Sequence, residues 1–440
     1  MTSLHRASRS HKFSKRNRDL GLGIGEEASP ISHLTPQFAT GQSQYHRSVG
    51  LEETRELWLP HSLLIEVLWR LPSKTLAWVR FVSKEWKNIV SDRTFIKLQL
   101  KPREQLSGFF FQGRYEWSDG DVKSVSYISV DRDRDFTKVE KAVLNFLPEN
   151  VVILSSSNGL ICCRSSFPCS KPVLYVCNPL NREWITLQWP NLPKDSSTAL
   201  IFEPFKSQID VSTDFQVVTV CQTYIEEDED EDEDGVQFSF NIYSSQTEVW
   251  TKSTEICVCG HNLQKKGCAF VEGVIFWLTN GDHILMFDPE KELSCLVMQP
   301  FPASQLNFRP GMCVGEAEGR LQYVLFSEDG LQLWELEDMF SSHWSVKHFI
   351  SLEELERENP KCMYHISEKL ESHLTTDTFP WINPLSFKDT TLLLRISTDI
   401  YAFNFDTKKA KLLCPYSALG PNSMFSPIVI PYTMSLVPIA

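Results

Sequence analysis

The chain has 440 residues, 42% of them hydrophobic and 22% charged, proportions of a globular protein with length for two or three domains. No run of about 18 apolar residues occurs, which excludes an ordinary membrane-spanning helix. The formal net charge of −13 does not describe a uniformly acidic surface, because Glu226 to Asp234 is an unbroken acidic run that accounts for nine of those charges.

Residues 1–54 open with Arg6, Arg9, Lys12, Lys15, Arg16 and Arg18 ahead of the first acid, Asp19. No apolar core of a secretory signal accompanies them. A Ser-, Gln- and Gly-rich stretch of this kind predicts a disordered basic tail. An organelle transit peptide, or a weak nuclear address at 12–18, are the alternatives.

From Leu57 to Leu98 the sequence reads LWLPHSLLIEVLWRLPSKTLAWVRFVSKEWKNIVSDRTFIKL. Pro60 suits a helix start. Leu64, Ile65 and Leu68 then form one apolar stripe, with Leu71 a turn on, and Pro72 ends it. Ser73 predicts an N-cap for a short helix holding Leu76 and Val79, and Ser83 a second cap with Trp86, Ile89 and Val90 on one face. Asp92 predicts a cap for a last turn with Phe95, Ile96 and Leu98. Forty residues rarely bury this much apolar surface alone. The pattern fits a partner site and a helical unit packed on the rest of the chain equally well.

The residue order goes further. Leu59-Pro60, Leu63-Leu64-Ile65-Glu66-Val67-Leu68, Arg70-Leu71-Pro72, Lys74 and Val82-Ser83-Lys84-Glu85-Trp86 resemble the plant-type F-box, with departures at Trp78, Val79 and Phe81. The resemblance implies binding to a Skp-family linker and, through it, to a cullin–RING ubiquitin ligase. It implies Leu59, Pro60, Leu64, Ile65, Leu68, Leu71, Pro72, Val82 and Trp86 as the linker-binding residues.

Beyond Leu100 short apolar strands with turn signals take over, and aromatic content of 12% favours them. A glycine turn entering a strand recurs at Asn158-Gly159-Leu160, Glu272-Gly273-Val274 and Gly319-Arg320-Leu321, with Lys388-Asp389 in its place once. A strand, turn, strand element follows at Val173–Leu187, Phe240–Trp250, Ile284–Lys291, Ile400–Lys409 and, more weakly, Leu331–Leu336. Five or six such units suggest a β-propeller. Trp184, Trp250, Trp277 and Trp334 read as blade core. The acidic run falls between Phe215–Tyr224 and Val236–Tyr243 and reads as a solvated hairpin tip; docking of a basic partner or loose cation binding is the alternative. The stretch 351–377 reads as a polar, helix-leaning surface insertion, with Ser351 and Glu354 as a capping box. Ser157-Asn158-Gly159-Leu160-Ile161-Cys162, Asn178-Pro179-Leu180-Asn181-Arg182-Glu183-Trp184 and Pro431–Pro438 resemble the F-box-associated domain that follows many plant F-boxes. In a ring fold, that last strand is placed to close the circle.

The expected fold class is therefore α+β multidomain: a basic tail at 1–54, a small helical F-box at 55–100, and a mainly-β, propeller-like domain at 101–440 that binds a target. No nucleophile elbow, P-loop, Rossmann fingerprint or zinc-protease motif is present. The twelve scattered cysteines form no zinc-type pairs and read as free thiols of a reducing compartment, cytoplasm or nucleus. Cys162-Cys163 reads as packing rather than as a nucleophile. The expectation is a non-catalytic substrate adaptor of an SCF-type ligase, with no cofactor, metal, nucleic acid or membrane partner and a target protein that the sequence leaves unnamed. A propeller lectin or enzyme with helices packed on its ring, and a ligase-independent scaffold, are the alternatives.

Overall fold

The computed structural model describes residues 60–439 apart from 101–105, 116–120, 123, 131–138, 191–192, 194–195, 207–210, 226–234, 265–266, 302–310, 375–380 and 421–423. The expected tail and the acidic run lie outside the described residues, as does Leu59. The described chain begins with four short helices, α1 (His61–Leu68), α2 (Ser73–Val79), α3 (Lys84–Ser91) and α4 (Arg93–Leu100). Prolines set the first two starts: Pro60 and Pro72 occupy the cap positions with φ of −52° and −58°. Ser73 is thus not a cap, because Pro72 already holds that position. Ser73 is the first helical residue, buried, and its hydroxyl accepts a hydrogen bond from Gln99 Nε2 at 2.8 Å, which ties α2 to α4. Ser83 does cap α3, accepting the Trp86 N–H at 3.1 Å. The Asp92 carboxylate accepts the N–H groups of Thr94 and Phe95 at 2.9 and 3.1 Å, and the Thr94 hydroxyl as well. The hydroxyl foremost, with both amides, holds the Asp92 carboxyl below its usual range against a modest desolvation. Phe95 and Ile96 are buried as expected, while Leu98 faces out.

Twenty-four strands follow among the described residues. They are β1 (Gly108–Tyr115), β2 (Ser126–Ser129) and β3 (Val139–Lys141); β4 (Val151–Ser157), β5 (Leu160–Ser165), β6 (Val173–Asn178) and β7 (Glu183–Gln188); β8 (Ser197–Phe202), β9 (Phe215–Ile225), β10 (Gly235–Ser244) and β11 (Val249–Cys259). Then come β12 (Ala269–Val271), β13 (Val274–Leu278), β14 (His283–Asp288) and β15 (Leu293–Met298); β16 (Gly311–Ala317), β17 (Arg320–Ser327), β18 (Gly330–Asp338) and β19 (His343–Ser351). Two helices, α5 (Leu352–Glu358) and α6 (Ile366–Leu374), precede β20 (Ile382–Lys388), β21 (Thr391–Ile396), β22 (Asp399–Asn404), β23 (Lys409–Pro415) and β24 (Met424–Tyr432). Each run of four from β4 onward is an antiparallel meander, and the last strand, β24, pairs with β1 to complete the first blade as β24-β1-β2-β3. Four of the resulting sheets are separate. The β16–β19 and β20–β23 meanders join into one eight-stranded sheet through a short parallel pairing, Gly315 with Phe387 and Glu316 with Lys388. A Cβ on Gly315 would lie 2.1 Å from the Phe387 carbonyl oxygen, so only glycine permits this approach.

The buried apolar residues fall into six clusters, one in each seam between consecutive blades. The β24/β1–β3 blade meets β4–β7 through Phe110, Tyr432 and Ile153. The next seams hold Leu174 with Phe215, Phe240 with Phe287, Ile284 with Tyr323, and Val324 with Phe403. The sixth returns to the start with Leu393 and Ile400 against Phe109 and Val429. This closes a ring of six four-stranded blades, a mainly-β propeller as expected; the closing strand is β24, Met424–Tyr432, so of the segment 431–438 only Pro431 and Tyr432 take part and the rest continues past the ring. The rings of Phe240 and Phe287 stack with centroids 3.9 Å apart, a type of pair that adds to area burial.

The repeat is written in turn geometry more than in residue identity. Where first and second strands meet, Asn158-Gly159, Glu272-Gly273 and Glu318-Gly319 have positive φ at both positions, as a two-residue hairpin turn of the primed type requires. Where third and fourth strands meet, Arg182, Glu248, Glu292, Ser342 and Lys408 each have φ between 45° and 58°. Four residues before them stand Asn178, Ser244, Asp288, Asp338 and Asn404. Four of these five caps accept a main-chain N–H on the side-chain oxygen, from Leu180, Glu290, Phe340 and Thr407, at 2.9–3.0 Å, in the manner of Asx turns.

Burial in the β domain departs from expectation at two places. Of the four tryptophans read as blade core, Trp277 is buried, Trp250 and Trp334 are half-buried, and Trp184 is exposed. Trp184 and Trp250 lie on β7 and β11, the outermost strands of their blades, where one face meets solvent. The stretch 351–377 is also more than a polar surface insertion. Ser351 caps α5 as expected, accepting the Glu354 N–H at 3.3 Å, but Leu355, Met363 and Ile366 are buried with Trp381 and Phe405 in the seam between the last two meanders.

One ion pair is buried between blades. Arg164 on β5 donates to both carboxylate oxygens of Asp121 at 2.6 and 3.1 Å, with the guanidinium almost wholly enclosed. Asp121→Ala strands that charge and is expected to cost about 3–5 kcal/mol. Glu290→Ala, which breaks the exposed pair with Lys206, is expected to cost less than about 1 kcal/mol. Urea denaturation of the two variants checks the contrast.

Candidate functional site

The four helices divide their apolar residues between two directions. Leu64, Leu68, Leu76, Ile89, Val90, Phe95, Ile96 and Leu100 are buried in one cluster with Leu160, Leu174, Leu200 and Phe215 of the ring. The helices thereby extend the seam between the β4–β7 and β8–β11 blades, and they form one compact unit with the ring. Facing away from that seam, Leu63 is 51% exposed, Val67 54%, Trp78 70%, Phe81 84% and Val82 65%. Five large apolar side chains this accessible on one small helical module are the signature of a partner surface.

The residues that the F-box resemblance implies for linker binding split accordingly. Pro60, Pro72 and Val82 are exposed, Ile65, Leu71 and Trp86 are half-buried, and Leu64 and Leu68 are buried in the cluster that the helices share with the ring. In this structure Leu64 and Leu68 support the outward face from behind. Leu63, Val67, Trp78 and Phe81 were not among the expected residues. Their signal was present in the sequence: Leu63 and Val67 are four apart, on a second stripe beside Leu64 and Leu68.

The C-terminal residues after β24 hold the helices to the ring. The Asn178 side-chain amide donates to the carbonyls of Ser435 and Val437 at 2.9 and 2.7 Å. The Asn181 amide donates to the Leu436 carbonyl at 3.1 Å, while its oxygen accepts from Arg80 Nη1 of the helices at 2.8 Å. Leu436 and Val437 are buried in the same seam as the helices. At Gly159, a Cβ would sit 2.2 Å from that of Ser435, so glycine is required for the tail to pass. The motif residues Asn158, Gly159, Asn178 and Asn181 therefore have structural work: turn formation and capture of the C-terminal segment.

No nucleophile emerges at Cys162 or Cys163. Both thiols are fully enclosed, and burial pushes both well above the usual thiol range, which leaves no thiolate for attack. Among the described residues no group of three or more His, Cys, Asp and Glu is arranged to hold a metal ion.

The F-box domain profile matches residues 57–98. The profile described as "F-box protein At3g26010-like, beta-propeller" matches residues 134–370, more than half of the chain. The protein is thus an F-box protein with a C-terminal β-propeller. It belongs to the At3g26010-like propeller family of F-box proteins. Relatives in Arabidopsis thaliana include F-box protein At5g49610, 29% identical over 305 residues that cover 67% of this chain and 79% of the relative. Another is F-box protein At5g07610, 23% identical over 381 residues, covering 81% and 86%. Among solved structures, apo AztD from Citrobacter koseri has a TM-score of 0.35 at 10% identity, covering 75% of this chain and 99% of that one.

The two-sided packing makes a direct prediction. Leu68→Ala empties a fully buried site and is expected to cost about 2–5 kcal/mol, whereas Val82→Ala on the outward face is expected to change stability by less than about 0.5 kcal/mol. Chemical denaturation of the two variants decides it.

Proposed function

We propose that this F-box protein is the substrate-recognition subunit of an SCF-type ubiquitin ligase, itself non-catalytic. The observation that carries the reading is the outward apolar face of Leu63, Val67, Trp78, Phe81 and Val82, left open by helices already anchored from behind. That face binds a Skp-family linker, and the linker joins the chain to a cullin–RING ligase. The propeller holds a target protein. Catalysis is by proximity: tethering raises the effective concentration of target lysines at the ubiquitin-charged enzyme, and the bond-making groups belong to other subunits. A reducing compartment, cytoplasm or nucleus, suits twelve free cysteines.

One observation favours a second reading, a propeller lectin or enzyme with helices packed on its ring: the helices share one buried apolar cluster with ring residues such as Leu160, Leu174 and Phe215. Packing of that kind alone leaves the five exposed apolar residues without a purpose, and this weighs for the adaptor.

Capture by immobilised linker tests the site. Wild type is expected to be retained, and Phe81→Asp/Val82→Asp to lose at least thirtyfold in affinity, the scale of a central anchor at ~2 kcal/mol. Equal retention of both would contradict the assignment. Ubiquitin transfer to a bound partner in a reconstituted ligase separates the adaptor from a ligase-independent scaffold.

A further inference from the structure

The innermost strands of the ring surround a cavity of about 540 Å³, in the size range of sites that enclose several ligand groups. Leu154, Phe270, Val314 and Leu385 form apolar patches on its wall, interspersed with Ser156 and Ser386. At one end it is pinched: a Cβ on Gly267, at the start of the β12 blade, would lie 3.8 Å from the Val429 carbonyl of the blade opposite. The other end is rimmed by the turns between first and second strands, and these carry charge. Glu316 is paired with Lys388 at 2.8 Å. Asp389 accepts the Leu106 N–H at 3.1 Å, and Lys206 is engaged by Glu290. Glu203 and Glu272 remain on the rim without an ion pair to a basic side chain among the described residues.

We propose that this cavity is a peptide-recognition site that takes an apolar side chain from an extended segment with Lys or Arg on either side of it. The inference rests on the adaptor reading and gives the chemical class of the target segment. The apolar patches receive the anchor. The rim supplies carboxylates for the flanking cations, and an anionic segment is repelled there. Burial pushes the Glu203 carboxyl above its usual range, with Lys206 offsetting this only in part. An arriving cation relieves that unfavourable charge, so the site gains from occupation by a basic partner and not from an acidic one.

The position of the mouth fits an adaptor. In a meander, the turn between first and second strands and the turn between third and fourth lie at the same end of the blade. The rim turn at Asn158 and the turn at Asn181, where Arg80 of the helices binds, are therefore on one side of the ring, and Leu100 at the end of α4 lines the cavity. A segment seated there is held on the helix-bearing side.

The experiment is fluorescence anisotropy with the full chain and three fluorescein-labelled peptides: Gly-Lys-Lys-Leu-Lys-Lys-Gly, the same peptide with Gly in place of Leu, and Gly-Glu-Glu-Leu-Glu-Glu-Gly. The lysine–leucine peptide is expected to bind at least tenfold more tightly than either of the others. Glu203→Gln/Glu272→Gln, which removes both rim charges at nearly constant side-chain volume, is expected to abolish the preference for the lysine over the glutamate peptide, with the thermal transition unchanged. Absence of binding, equal binding of the three, tighter binding of the glutamate peptide, or a lysine-over-glutamate preference that survives the double substitution would overturn the proposal. Linker capture run on the same samples keeps the two claims apart. Retained capture with failed peptide binding removes only this inference, whereas lost capture strikes the adaptor reading.

Discussion

The pairing of β24 with β1 is the interaction on which the rest of the molecule depends. It joins residues more than three hundred positions apart, from Gly108 with Tyr432 to Tyr115 with Met424. Without it the first blade lacks its inner strand, and two of the six seams lose residues such as Ile430, Tyr432 and Val429. Each blade buries its two faces only against its neighbours, so opening one junction exposes apolar surface on both sides of it. Contacts of such long range carry a large loop-closure cost before they return any stability. The hydrophobic seams have to offset it together.

The same closure determines where the helices sit. The chain leaves β24 and runs under the β4–β7 blade, where Asn178 and Asn181 grip its carbonyls. Leu436 and Val437 then become part of the surface that the F-box packs on. Arg80 reaches Asn181 from the helix side, so one asparagine touches both the C-terminal segment and the F-box. The F-box is therefore fixed to the propeller through a shared core and a hydrogen-bonded strap. For a protein whose proposed task is to hold a target at a set place relative to a ligase, an attachment of this kind favours productive geometry over a freely moving tether.

Much of this was legible in the sequence because local chemistry and tertiary role coincide there. Pro60, Pro72, Ser83 and Asp92 punctuate the helices where the residue types say they should, and the glycine turns announce the blades. Ser73 misled because a proline can occupy a cap position that a serine next to it would otherwise fill. Trp184 misled because strand residues alternate between faces, and which face of an outer strand is covered depends on the neighbouring blade. The number of blades was open between five and six, since one unit is split between the two ends of the chain and its strands β1–β3 lack the repeated turn signals. On α1 the stripe of Leu63 and Val67 is as apolar as the neighbouring stripe of Leu64 and Leu68, and only the packed structure shows that the first is exposed and the second covered.

Amide hydrogen exchange of the full chain, with and without purified Skp-family linker, tests the central claim most directly, namely that a propeller-anchored F-box offers its outward face to a partner. The account predicts slowed exchange in α1 and in the segment from Trp78 through α3 on adding the linker, with the ring strands unchanged. Protection confined to the propeller, or no change in the helices at saturating linker, would contradict it.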